Sequence, residues 1–67
     1  MKDIDQQVLE FIREYHRLKG QTPDHHLVNE HFGWNAGSNS TGRNAMRRLE
    51  REGYLEYNHQ LNNYKLL

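Results

Sequence analysis

The chain is organised around the stretch Ser38-Asn39-Ser40-Thr41-Gly42-Arg43-Asn44-Ala45-Met46-Arg47-Arg48-Leu49-Glu50-Arg51-Glu52-Gly53. Its small or apolar residues recur at the i, i+3, i+4 and i+7 spacing of a helix with one buried side, and they are Gly42, Ala45, Met46 and Leu49. At about 100° per residue, the opposite side collects polar side chains. These are Ser40, Arg43, Asn44, Arg47, Arg48 and Arg51. The stretch predicts a helix over about residues 40–52, with Ser38 or Ser40 as its N-cap.

Positive charge is concentrated in this stretch. The 67-residue chain has a formal net charge of zero, but residues 38–51 hold four arginines and one glutamate, a local balance of +3. On charge alone, a solvated helix face is the plain alternative. The serine, threonine and asparagine that accompany the arginines favour a helix that enters a DNA groove.

An amphipathic helix over about residues 4–19 is predicted upstream. Its apolar positions are Ile4, Val8, Phe11, Ile12 and Tyr15, with Leu9 and Leu18 at the margins of the stripe. Asp3 and Gln6 resemble a capping box at its start. Gly20 is placed to end the helix in a left-handed conformation. We expect this helix to be structural.

A second, shorter helix is predicted over about residues 24–32. Pro23 disfavours a helical conformation at the residue before it, and Asp24 is the expected N-cap. Gly33 is expected to end the helix, and Trp34 to be buried against its last turn. The expected buried side chains of the helix itself are Leu27 or Val28, and Phe32.

After Gly53 the period of the sequence changes from 3.6 to 2, which predicts a β-hairpin within about residues 54–66. Residues 59–62 are of the turn type. The expected inner side chains are Leu55, Tyr57, Tyr64 and Leu66. Three helices followed by a hairpin predict a mainly helical α+β fold of the winged helix-turn-helix type, in one domain over residues 1–67.

Composition excludes several classes of protein. The chain has no cysteine, so it holds no disulfide and no zinc–thiolate site. Nothing near the N-terminus resembles a signal peptide, and no apolar run approaches the about 20 residues that span a bilayer. We therefore expect a soluble cytoplasmic protein with no membrane partner. His25, His26 and His31 share a short helix without an i, i+4 pair, so we expect no metal. No catalytic motif occurs, and we expect no enzyme activity, cofactor or small-molecule substrate.

Five segments, in this order and spacing, together resemble a known family: Ile4–Gly20, Thr22-Pro23, Val28…Phe32-Gly33-Trp34, Leu49…Gly53-Tyr54-Leu55-Glu56 and Tyr64-Lys65-Leu66-Leu67. The chain resembles the N-terminal DNA-binding domain of the LexA repressor. The resemblance covers nearly the whole chain, apart from about two extra residues in the 35–39 loop. It implies binding of double-stranded DNA through the third helix, in the major groove. The family's self-cleaving, dimerising domain has no counterpart here, so its protease chemistry is not carried over.

The positions at which the family contacts bases fall at and just after the start of the third helix. By this resemblance they are Ser38, Ser40, Thr41, Arg43 and Asn44. Arg43 and Asn44 lie nearest the helix start and are the expected base readers. Arg47 suits either a base or a phosphate. Arg48 and Arg51 lie further along and are expected to bind phosphates.

The predicted function is therefore sequence-specific DNA binding, in a small transcriptional regulator. A neutral protein gains little affinity from phosphate neutralisation, so we expect a homodimer or a partner protein to supply avidity. The hairpin is polar, with Lys65 as its one permanent positive charge, and exposure is expected for Leu61 at its tip. The neutral charge keeps an alternative open, a winged helix that binds proteins as the antagonist or adaptor of a regulator.

Overall fold

The fold consists of three helices followed by a two-stranded antiparallel hairpin. The computed structural model describes residues 1–35 and 40–67. Its elements are α1 (Asp3–Lys19), α2 (His25–Phe32), α3 (Thr41–Arg51), β1 (Leu55–Asn58) and β2 (Asn63–Leu66). The predicted mainly helical α+β architecture is confirmed, as is the order of its elements. No helix in the described part of the chain is long and apolar enough to cross a membrane.

One core joins the three helices to the start of the hairpin. Its fully buried apolar side chains are Val8, Leu9, Ile12, Val28, Ala45, Met46, Leu49 and Leu55. Leu9 is 2% exposed and belongs to this core, whereas Leu18, predicted beside it at the stripe's margin, is 63% exposed. On α2 the buried residue of the predicted pair is Val28, and Leu27 is exposed. The helical period was thus read correctly, with the stripe of α1 rotated slightly toward Leu9.

The helix starts differ in how they are capped. The predicted capping box at Asp3 is wrong, because Lys2 is the N-cap of α1, makes no side-chain cap bond, and leaves Asp3 inside the first turn. At α2 the prediction is confirmed. The Oδ1 atom of Asp24 accepts a hydrogen bond from the backbone N–H of Leu27 at 2.9 Å.

The predicted helix ends at glycine are confirmed. Gly20 has φ 74° and Gly33 has φ 73°, the left-handed conformation that a side chain disfavours. Beyond Gly33, the backbone N–H of Trp34 donates to the carbonyl of Asn29 at 2.8 Å. The Trp34 ring is half-buried and stacks on Phe32, with ring centroids 4.7 Å apart.

The hairpin is fastened to α3 at one edge and to the connector between α1 and α2 at the other. In its register Leu55 pairs with Leu66 and Tyr57 with Tyr64. Amides of an antiparallel pair point alternately toward and away from the partner strand, so some need acceptors outside the ladder. Two such acceptors are side chains: Glu50 Oε2 accepts from the Tyr57 N–H at 2.8 Å, and Thr22 Oγ1 accepts from the Leu66 N–H at 3.2 Å. The hairpin is therefore held beside α3.

Candidate nucleic-acid interface

The outer face of α3 is defined by the residues opposite its buried stripe. Gly42, Ala45, Met46 and Leu49 are buried, as predicted. At about 100° per residue, the positions directly opposite them are Asn44, Arg47 and Arg51. Arg47 and Arg51 are exposed and Asn44 is half-buried. We call these three residues the outer face.

The two edges of this face point at different neighbours. Arg43 and Glu50 lie on the edge toward the hairpin and α2, and Arg48 lies on the edge toward α1. The helix period alone treats the four arginines as equivalent surface groups. Their neighbours in the fold give them different roles.

Arg48 is joined to a buried carboxylate of α1. Its Nε donates to Asp5 Oδ2 at 2.9 Å and its Nη2 donates to Oδ1 at 2.8 Å, in the fork geometry that guanidinium and carboxylate share. The Asp5 side chain is 2% exposed and that of Arg48 is 29% exposed. The hydrogen bond to Asp5 raises the pKa of Arg48. Sequence reasoning missed this pair, because residues 43 positions apart share no periodic signal.

Glu50 is turned toward the hairpin by its bond to the Tyr57 amide. Glu50 is the only acidic residue within α3. Because its carboxylate accepts the hydrogen bond from the Tyr57 amide, its negative charge lies on the hairpin side and not on the outer face. Burial of the Tyr64 ring, with Glu50 close by, raises the pKa of the phenol, and Arg47 and Arg43 act in the opposite direction. The hairpin thus lies beside the arginine side of α3.

The start of α3 is fixed by a buried amide on α2. Asn29 is 1% exposed, and its Oδ1 accepts from the backbone N–H of Gly42 at 2.9 Å. A Cβ at position 42 would lie 2.5 Å from that oxygen, so only glycine permits this approach of the two helices. Asn29 therefore sets where the first turn of α3 lies relative to α2. No sequence signal other than the buried position of Gly42 pointed to this contact.

Two of the predicted N-terminal contacts have defined surroundings. Ser40 is the N-cap of α3, 6% exposed, and its Oγ accepts from the Arg43 N–H at 3.2 Å. Thr41 is exposed in the first turn. Ser38, the other predicted cap and contact, lies outside the described residues. The helix therefore offers Thr41 as its accessible hydroxyl at this end, because the oxygen of Ser40 already accepts from its own helix.

A cleft of about 330 Å³ adjoins Arg43 where α2, α3 and the hairpin meet. His25 and His26 enter it from the start of α2, with their ring centroids 4.2 Å apart, and Tyr64 enters it from β2. Burial lowers the pKa of His25, and the nearby His26 and Arg43 lower it further, whereas Asp24 raises it. Titratable groups of both signs are thus gathered at this edge of the outer face.

Within residues 1–35 and 40–67, no group of three or more histidine, aspartate or glutamate side chains is arranged to hold an ion. The chemistry that the surface offers is hydrogen bonding and positive charge, from guanidinium, imidazole and amide groups.

Comparisons with family models, with curated proteins and with solved structures found no match to this chain.

Proposed function

We propose that this chain is a sequence-specific double-stranded DNA-binding protein of the winged helix-turn-helix type, acting in transcriptional regulation. In this proposal α3 enters the major groove and the hairpin is the wing, as the resemblance to the LexA DNA-binding domain implies. The observation that carries it is the outer face of α3. Arg47 and Arg51 stand exposed on it, and the described residues form no ion pair with either of them or with Arg43.

Base reading is assigned to the residues of that face that lie nearer the start of α3. Arg47 has the fork of donors that matches the O6 and N7 atoms of guanine, and the Asn44 amide matches the N6 and N7 atoms of adenine. Arg51, one turn further along, is assigned to a phosphate. Arg43 lies at the edge and adjoins the cleft. Arg48, which the sequence suggested as a phosphate contact, is assigned to holding α3 on α1.

Affinity in this proposal needs more than one domain on the duplex. Phosphate neutralisation supplies much of the free energy of DNA binding, and the formal net charge of the chain is zero. A homodimer on a two-fold site, or a partner protein bound beside it, would supply the avidity.

The test is a salt titration of binding to duplexes enriched from a random-sequence pool. We expect affinity to fall as salt rises, with a slope that counts the phosphates contacted. Arg47→Ala is expected to weaken binding to the enriched duplexes by about 1–3 kcal/mol, and to random duplexes by less.

Arg17→Ala is the matched control, because it also removes one positive charge. Arg17 lies on α1, exposed and paired with Glu14. Equal losses for Arg17→Ala and Arg47→Ala would mean that net charge, not the outer face, determines binding. Absence of wild-type binding at low salt would overturn the proposal.

A second candidate is a protein-binding module, favoured by one observation. Leu61 at the tip of the hairpin is 64% exposed and borders a cleft of about 480 Å³ between the hairpin and the end of α1. Binding to a protein through this surface would tolerate Arg47→Ala and be weakened by Leu61→Ser. If α3 binds a duplex, Arg47→Ala is expected to weaken binding and Leu61→Ser to leave it unchanged.

A further inference from the structure

The cleft beside Arg43 is lined largely by titratable side chains. Its volume is about 330 Å³, and ionisable side chains enter it from every element around it. They are Asp24, His25 and His26 at the start of α2, Arg43 from α3, and Tyr57 and Tyr64 from the hairpin. A cavity so composed changes its charge with pH in the physiological range, because histidine titrates there.

The permanent charges of the cleft cancel. Arg43 contributes one positive charge and Asp24 one negative charge. The Asp24 carboxylate also accepts from the Leu27 N–H at 2.9 Å, which holds it at the helix end. Burial raises the pKa of the Tyr64 phenol, so this group adds no charge. The protonation of His25 therefore decides whether the cleft attracts an anion.

We propose that this cleft binds one backbone phosphate of the duplex and that His25 takes up a proton when the phosphate is bound. The inference rests on the proposed function and adds a proton to the binding reaction. In the complex, Arg43 and protonated His25 would both donate hydrogen bonds to phosphate oxygens, which are acceptors only.

The surroundings of His25 support the proton uptake. Burial, His26 and Arg43 lower the pKa of His25 in the free protein, so its ring is neutral there at neutral pH. A phosphate in the cleft reverses the local field, because its negative charge favours the imidazolium. The ring is half-buried, so that field is screened less than on an open surface.

The experiment measures duplex affinity at constant salt between about pH 7.5 and pH 5.5. Wild-type protein is expected to bind more tightly at the lower pH, by about tenfold for each unit by which the phosphate raises the pKa of His25. His25→Gln is expected to bind at the higher pH and to lose most of this dependence. NMR of the imidazole nitrogens, with and without duplex, follows the protonation of His25 directly.

His31→Gln is the matched control. His31 is exposed and stacks on Phe11 of α1, with ring centroids 4.0 Å apart, and it does not line the cleft. This variant is expected to keep the full pH dependence. An equal loss of pH dependence in both variants would overturn the inference, because any histidine near DNA would then suffice.

The remaining outcomes separate the inference from the proposed function. Duplex binding that does not change with pH, or an imidazole that stays neutral in the complex, overturns the phosphate site and leaves DNA binding standing. Absence of duplex binding at every pH overturns the proposed function. Inorganic phosphate is added alone as a further arm. If it protonates His25 and duplex does not, the cleft serves a small phosphate and not DNA.

Discussion

Replacement of Arg48 by methionine is expected to destabilise this protein more than replacement of its partner, Asp5, by the neutral asparagine. Arg48→Met keeps the aliphatic length of the side chain and leaves the carboxylate of Asp5, 2% exposed, without its cation. Asp5→Asn leaves instead a guanidinium that is 29% exposed and that water can reach. Both changes break the same ion pair. Arg48→Met leaves a buried carboxylate without a partner, whereas Asp5→Asn leaves a partly exposed guanidinium without one.

The magnitudes follow from that asymmetry. Removing one partner of a buried pair costs about 3–5 kcal/mol, and we take about 3 kcal/mol for Arg48→Met because the pair is open to water on one side. Asp5→Asn retains one acceptor oxygen and is expected to cost about 1–2 kcal/mol. A domain of this size has a total stability of about 3–10 kcal/mol. Arg48→Met should therefore lower Tm by about 12–24 °C.

Urea unfolding followed by circular dichroism measures both variants, with equal m-values as the check that the unfolded states match. The double variant Asp5→Leu/Arg48→Met replaces the pair by apolar groups and should recover most of the loss. If Asp5→Asn lowers the free energy of unfolding as much as Arg48→Met does, burial of the unpaired carboxylate is not the cause of the loss in Arg48→Met. Weakened duplex binding by folded Arg48→Met, with unchanged stability, would restore Arg48 as a phosphate contact.

Three further outcomes are expected. Gly42→Ala puts a Cβ 2.5 Å from Asn29 Oδ1. We therefore expect the free energy of unfolding, measured in urea, to fall by about 1–3 kcal/mol, and hydrogen exchange at the residue 42 amide to become faster. Unchanged stability would mean that α2 and α3 separate freely to make room for the methyl group. Thr22→Val removes the acceptor of the Leu66 amide and should lower the free energy of unfolding by about 0.5–1.5 kcal/mol. The Leu66 amide should also exchange faster with solvent. Neither change is expected if a water molecule takes the place of the hydroxyl. Because the pKa of His25 is lowered from 6.5, the unfolded chain binds more protons, and stability should fall as pH drops below that value. The slope should shrink in His25→Gln, and an unchanged slope would place its origin elsewhere.

Local signals in the sequence were sufficient for the elements themselves. The i, i+3, i+4 spacing located α3 and its buried residues, and Asp24 and Gly33 marked the ends of α2. The change of period after Gly53 located the hairpin. Such signals depend on residues within about one or two helical turns of each other, so they need no knowledge of the tertiary fold. The capping box failed at Asp3 because the helix begins one residue earlier than expected, which makes Lys2 the N-cap and places Asp3 in the first turn.

The candidate site was predicted only in outline. The sequence indicated an arginine face on α3, but it grouped Arg48 with Arg51 as a phosphate contact. It did not reveal that Asp5 is buried, because an acidic residue in the first turn of a helix is normally solvated. The cleft was also missed, since His25 and Arg43 meet only after α2 and α3 pack together.

Three helices, a hairpin and a basic outer side on α3 could be predicted from the amino-acid sequence, because helical period, caps and alternation are properties of neighbouring residues. Which charges remain on that side depends on how the elements pack together. Packing of α1 against α3 paired Arg48 with Asp5, and docking of the hairpin turned Glu50 toward the Tyr57 amide. The cause is the same in both cases. A charged side chain pairs with a group that lies within a few ångströms of it, and the number of residues between two groups does not predict their distance in the folded chain.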